Sequence, residues 1–124
     1  MHLQESGEMY LEAIHVLSGK LPLVRSIDVG EYLGYSKPSV SRAIGLLKEG
    51  GYVESTESGG LVLTEVGAEV ADKIFRRHTL LTACLVKLGV DEATAAEDAC
   101  KIEHVISEQS MVKIREYLEN KTET

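Results

Sequence analysis

The chain has 124 residues, enough for one ordinary domain or two small ones sharing a core. A hydrophobic fraction of 44% beside 27% charged residues fits a globular protein in water. No apolar run approaches the roughly 20 residues that a membrane helix needs. A net charge of −7 excludes a generally basic surface, which nucleic acid would attract. The middle of the chain differs: Lys20, Arg25, Lys37, Arg42 and Lys48 balance Asp28, Glu31, Glu49, Glu54 and Glu57. DNA binding is therefore left open by charge, neither supported nor excluded. Met1-His2-Leu3-Gln4-Glu5 lacks the blocks of a signal peptide, and Cys84 and Cys100 make no disulfide framework. A cytoplasmic protein is expected.

From about Leu3 to Ser18, Tyr10, Ile14 and Leu17 follow a helical period, ended by Gly19-Lys20-Leu21-Pro22. Ser26 is expected to cap a short second helix through about Leu33, with Asp28 in its first turn. Gly34 offers a left-handed position for a tight turn. Ser36 then caps a third helix that tolerates Pro38 in its opening turn and buries Val40, Ile44 and Leu47 before Gly50-Gly51 stops it. Tyr52–Ser55 and Leu61–Thr64 read as two short strands around the turn-forming Thr56–Gly60, hence a hairpin.

Thr64 or Glu65 opens a long fourth helix to about Leu88, with Ile74, His78, Leu81 and Leu85 along one face. A fifth helix is predicted from about Glu92 to Ile106, carrying Ala95, Ala99, Ile102 and Ile106 at core spacing. Ser107 caps a sixth, with Met111, Ile114 and Leu118, and the tail Lys121–Thr124 is expected to fray. Tyr10 and Tyr32 read as core. The fold class expected is mainly α: a winged helix-turn-helix DNA-binding domain over residues 1–64, then an all-helical metal-binding and dimerisation domain over 65–124. The second part is too small to bury its apolar faces alone. A homodimer would cover the remainder and suits a reader of two-fold DNA sites.

Two constellations carry chemistry. Ser36, Lys37, Pro38, Ser39, Ser41 and Arg42 crowd the start of the third helix, the end that enters a major groove. Arg42 suits guanine O6 and N7, a contact that discriminates by about 1–3 kcal/mol. Ser39 and Ser41 suit phosphate or base edges, Pro38 a thymine methyl, and Lys37 with the hairpin tip the backbone. The bland alternative is a capped surface helix. The order of cap, turn, helix and hairpin favours DNA.

The second constellation is Cys100, Glu103 and His104, at i, i+3 and i+4 of a stretch that reads as helix and so expected on one face. Thiolate, carboxylate and imidazole together suit a divalent transition metal better than magnesium or calcium. Met9 and Glu12, three apart on the first helix, are candidates to complete the set, and His78 on the fourth helix is a sixth. Taken singly, His78 would be a core histidine, Met9 core filler, Glu12 an exposed charge and Cys100 a small hydrophobe. Together they make a metal site and a DNA reader in one chain, the outline of a metal-sensing regulator. A metal-independent thiol switch at Cys100 and a small metalloenzyme are the competing classes. No further catalytic group supports an enzyme.

At these residues the chain resembles the diphtheria-toxin-repressor family of iron- and manganese-dependent regulators. The resemblance rests on Glu8-Met9-Tyr10-Leu11, Lys37-Pro38-Ser39-Val40-Ser41, Gly60-Leu61-Val62-Leu63-Thr64, Arg77-His78 and Asp98–Val105. It implies a homodimer that binds a palindromic, double-stranded DNA operator when loaded with Fe(II) or Mn(II), repressing metal-uptake genes, with no membrane or organic cofactor involved. In length the chain is similar to the two-domain members. Met9 and Cys100 match the iron type and Glu12 the manganese type, while His78 is common to both. Two ancillary-site positions of the iron type hold Thr82 and Ala96. Thioether and thiolate in place of two hard oxygens should favour Fe(II), with Co(II), Ni(II) or Zn(II) binding in vitro.

Overall fold

A computed structural model describes residues 5–119, so the expected helix start at Leu3 and the frayed tail Lys121–Thr124 lie outside the described residues. The elements run α1 (Glu5–Ser18), α2 (Ser26–Leu33), α3 (Lys37–Glu49), β1 (Val53–Ser55), β2 (Leu61–Leu63), α4 (Glu65–Lys87), α5 (Glu92–Ile102) and α6 (Glu108–Glu119). They fall into two compact units that divide between Asp72 and Lys73, inside α4.

In the N-terminal unit, Tyr10, Leu11, Ile14, Val29, Val40, Ile44, Leu47, Val53 and Leu61 build one core from three helices and the hairpin. Gly34 takes the left-handed turn at φ 76°, as its place in the sequence predicts. Gly30 lies where α2 meets α3, and a Cβ there would stand 3.2 Å from Val40 Cγ2. The Ser36 hydroxyl accepts from the Ser39 amide and caps α3. The second cap differs from expectation. Arg25, not Ser26, occupies the N-cap of α2, and its amide donates to the Asp28 carboxylate at 2.8 Å. That contact satisfies the same need by reaching back from the first turn. Tyr32 is a further correction: it is exposed rather than part of the core.

β1 and β2 pair antiparallel with Glu54 opposite Val62. Thr56 closes the loop: its amide donates to the Gly60 carbonyl at 2.8 Å, and its hydroxyl accepts from the Gly60 amide at 2.9 Å. The Thr64 hydroxyl donates to the Gly51 carbonyl at 2.6 Å and accepts from the Gly67 amide at 3.1 Å, so one side chain ends the hairpin and starts α4. Ala71 belongs to this unit's core and Val70 packs on it. The compact unit therefore extends past the strand end at which the 1–64 and 65–124 ranges were divided.

In the C-terminal unit, Leu81, Ala99 and Met111 form a small core, flanked by Leu80, Ile102, Ile106 and Ile114. Gly89, at φ 110°, follows the end of α4. Asp91 caps α5 by accepting from the Thr94 amide at 2.8 Å, and this bond holds its carboxyl below the usual range. Ser107 caps α6 through the Ser110 amide. Among the described residues no helix is long and apolar enough to cross a membrane.

Candidate metal centre and nucleic-acid interface

α3 is two-faced. Val40, Ile44 and Leu47 are buried, while Ser36, Lys37, Pro38, Ser39, Ser41 and Arg42 are all exposed. The periodicity that buries one side necessarily turns the hydroxyls and cations of the first turns outward. Glu54, Ser55, Glu57 and Ser58 of the hairpin are exposed as well. A capped helix with a polar opening, preceded by a short helix and followed by a hairpin, is the arrangement of a winged helix-turn-helix reader.

The metal candidates fall out less evenly. α5 ends at Ile102 rather than Ile106, with Glu103 as its C-cap. Glu103 and His104 thus belong to the turn between α5 and α6, and Cys100 alone of the three is helical. The expected single helical face does not hold: Cys100 is exposed, whereas the Glu103 side chain is 0% and the His104 side chain 1% exposed. The Glu103 amide still donates to the Ala99 carbonyl, and the Ile102 carbonyl accepts from the Val105 and Ile106 amides, so main-chain bonds close the helix end, while carbonyls beyond it find a side-chain partner. Arg77 Nη1 of α4 donates to the carbonyls of Glu103 and Ile106, both at 3.0 Å.

Two imidazoles bracket the buried Glu103 carboxylate. His78 Nδ1 lies 2.9 Å from Oε1, and His104 Nε2 lies 3.3 Å from Oε2. The histidine of α4 and the two residues of the turn therefore meet, as the sequence reading required. Where the Nδ1 proton of His78 is donated to the carboxylate, Nε2 is the nitrogen left to face a ligand. A carboxylate is rarely buried without cations or several hydrogen bonds around it. A divalent transition metal fits this donor set, since imidazole nitrogen and carboxylate oxygen are its common ligands. Met9 and Glu12 are both half-buried on α1 in the N-terminal unit.

Arg77 is the residue that sequence reasoning missed. It was visible only as the neighbour of His78, because its partners lie 26 to 31 positions away and carry no local signal. Its Nη2 pairs with the Glu108 carboxylate at 3.3 Å.

An exposed, capped reading helix and a buried carboxylate between two histidines define the class of metal-responsive DNA-binding regulators. Residues 2–61 match the iron dependent repressor N-terminal DNA-binding domain, and residues 64–124 match the iron dependent repressor metal-binding and dimerisation domain. The chain belongs to the iron-dependent repressor family. It is similar to an HTH-type transcriptional regulator of Methanocaldococcus jannaschii, with 32% identity over 94% of this chain and 95% of that one. It is also similar to the transcriptional regulator MntR of Escherichia coli O157:H7, with 31% identity over 92% of this chain and 74% of that one. Among solved structures, the manganese regulator SloR superposes with a TM-score of 0.81 at 25% identity, covering 96% of this chain and 55% of that one. A manganese-dependent transcriptional repressor in complex with manganese gives 0.83 at 30% identity, covering 90% and 52%. The chain thus spans about half the length of these two solved chains.

The resemblance read from the sequence is borne out, as is the fold class of a winged helix-turn-helix followed by a helical part. The protein is a metal-dependent, DNA-binding, dimerising transcriptional regulator, and the metalloenzyme alternative is set aside by its family.

Proposed function

We propose that this regulator represses metal-uptake genes from the cytoplasm. As a homodimer it binds a palindromic operator when its ligands hold Fe(II) or Mn(II). The observation that carries the reading is the buried Glu103 carboxylate between His78 and His104. Met9, Glu12 and Cys100 complete the ligand set in this reading, and residues 1–64 and 65–124 act as reader and as metal-binding, dimerising part. The ion supplies positive charge to the buried carboxylate and ties its ligands into one arrangement. Fe(II) is favoured over Mn(II) by the sulfur donors of Met9 and Cys100, with Co(II), Ni(II) or Zn(II) as substitutes in vitro.

Ser39, Ser41, Pro38 and Arg42 read base edges, while Ser36 and Lys37 hold the backbone. In a dimer the two reading helices must meet successive major grooves about 34–36 Å apart. Metal dependence means that the loaded ligand set favours conformers with that spacing. The test is selection of DNA from a random pool by the purified protein without oxygen, in chelator, Fe(II) or Mn(II). A palindrome enriched only with metal is expected. Equal enrichment in chelator would refute the switch. Displacement of Fe(II) by equimolar Mn(II) would reverse the ion preference.

The exposure of Cys100 favours one second reading, a thiol switch that needs no metal. Substitution of His104 by Ala separates the two, since an oxidant response carried by the thiol alone would survive it.

A further inference from the structure

We propose that Arg77 is a positioning residue for the metal site, and that its guanidinium fixes the turn from which Glu103 and His104 project. The inference rests on the metal-site reading above. A ligand pair carried on a helix inherits its geometry from the helix. Glu103 is held by the helix only through its amide, which donates to the Ala99 carbonyl as the cap of α5, and His104 lies beyond the helix end. Three groups around them are instead gathered by one side chain. Arg77 Nη1 donates to the Glu103 and Ile106 carbonyls, each at 3.0 Å, and Nη2 pairs with Glu108 in the first turn of α6.

The end of α5, the turn and the start of α6 are thus fixed to a single planar fork. The Arg77 side chain is only 13% exposed, so its two carbonyl bonds are partly shielded from water, whereas Glu108 stands in solvent. Arginine suits the task because its donors are rigidly arranged, whereas lysine offers a point charge on a flexible stem. The fork also follows directly on His78 in the chain. Consecutive residues of α4 therefore act on Glu103, Arg77 through the main-chain carbonyl and His78 through the carboxylate. A displacement of the turn would move the carboxylate relative to the His78 ring, and partners that orient metal ligands commonly govern affinity by 10–100-fold.

The charge of Arg77 poses an apparent conflict, since a guanidinium beside a cation site repels the cation. Glu108 offsets it, and the two form a pair on the side of the fork away from the carbonyl bonds. Arg77 then acts through geometry, and its replacement by a neutral residue should weaken metal binding although a positive charge is removed. A purely electrostatic role predicts the opposite sign.

The experiment is Co(II) titration of the full chain without oxygen, read by affinity and by the visible absorption bands of the bound ion. These bands report ligand geometry and are indifferent to stability as such. Arg77→Met, Arg77→Lys and Glu103→Gln are compared with the parent protein, alongside urea unfolding of each metal-free form. Arg77→Met is expected to lower Co(II) affinity by about 10–100-fold and to shift the bands. Arg77→Lys should recover part of the affinity. Unchanged affinity and bands in folded Arg77→Met, or tighter binding, would overturn the proposal. If Arg77→Met does not fold, Arg77→Lys decides by the same criteria, with a parent-like spectrum and affinity overturning it. Parent-like Co(II) binding by Glu103→Gln would instead show that the metal-site reading beneath the proposal is wrong.

Discussion

Gly67 offers a sharp test of how α4 begins within the N-terminal unit. It is a buried residue in the first turn of α4, where the Thr64 hydroxyl accepts its amide. An alanine Cβ at this position would run into the carbonyl oxygen of Tyr52. In an open helical site, glycine to alanine gains about 1 kcal/mol. Here the obstacle is main chain, and it is held by the Thr64 amide, which donates to that same carbonyl at 3.0 Å. Overpacking costs about 1–3 kcal/mol when a side chain can yield, and a fixed carbonyl puts the cost at or above the upper end. The net expectation for Gly67→Ala is a loss of about 2 kcal/mol, or about 8–16 °C in Tm for a unit of this size. Gly45, exposed on α3 with nothing within 4 Å of its Cβ position, provides the control. Gly45→Ala should gain up to about 1 kcal/mol, a rise of about 4–8 °C. Thermal and urea unfolding of the full chain, followed by circular dichroism, measures both. A Gly67→Ala protein as stable as Gly45→Ala would mean that the first turn of α4 does not lie against the Tyr52 carbonyl.

Three other outcomes are expected. Arg42→Ala should cost about 1–3 kcal/mol on the operator and relax preference at one base pair, whereas Lys37→Ala should weaken all sequences and reduce the salt slope by about one. Fluorescence anisotropy across a salt series checks this, and a uniform loss for Arg42→Ala would remove it from the base contacts. Thr64→Val keeps the side-chain shape but deletes two hydroxyl bonds, so a loss of about 1–2 kcal/mol and faster amide exchange at Gly67 should follow. The Asp91 carboxyl is held below its ordinary value by the Thr94 amide, so its contribution to folding is present above the usual carboxylate range and lost as pH falls through the lowered value. Asp91→Ala should therefore flatten the acid side of the stability profile, and an unchanged profile would exclude this cap as a source of acid sensitivity.

The parts of the molecule that were legible in the sequence are those decided within a few residues. Gly34, Ser36, Thr64 and Ser107 each act on their own turn or helix end, and each stands where it was expected. The cap of α2 moved by one residue because Asp28 could reach back to Arg25. The end of α5 was not legible. Apolar spacing continues to Ile106, and the partner of the Glu103 and Ile106 carbonyls beyond the helix end is the distant Arg77. Burial of Glu103 was hidden for the same reason: nothing in the local pattern distinguishes a carboxylate beside two imidazoles from one in water. The pairing of His78 with the turn could be inferred from ligand chemistry, but its distance could not.

The contrast between Cys100 and its two neighbours bears on how such a protein changes over generations. Glu103 and His104 sit in a closed turn, where an exchange disturbs packing, hydrogen bonds and buried charge together. Cys100 stands one turn earlier on an exposed helical surface, where most exchanges alter stability by no more than about 0.5 kcal/mol. A lineage can therefore swap sulfur for oxygen at position 100 with little penalty to folding. If Cys100 is a ligand as proposed, the donor most able to separate soft from hard ions is also the one most open to drift.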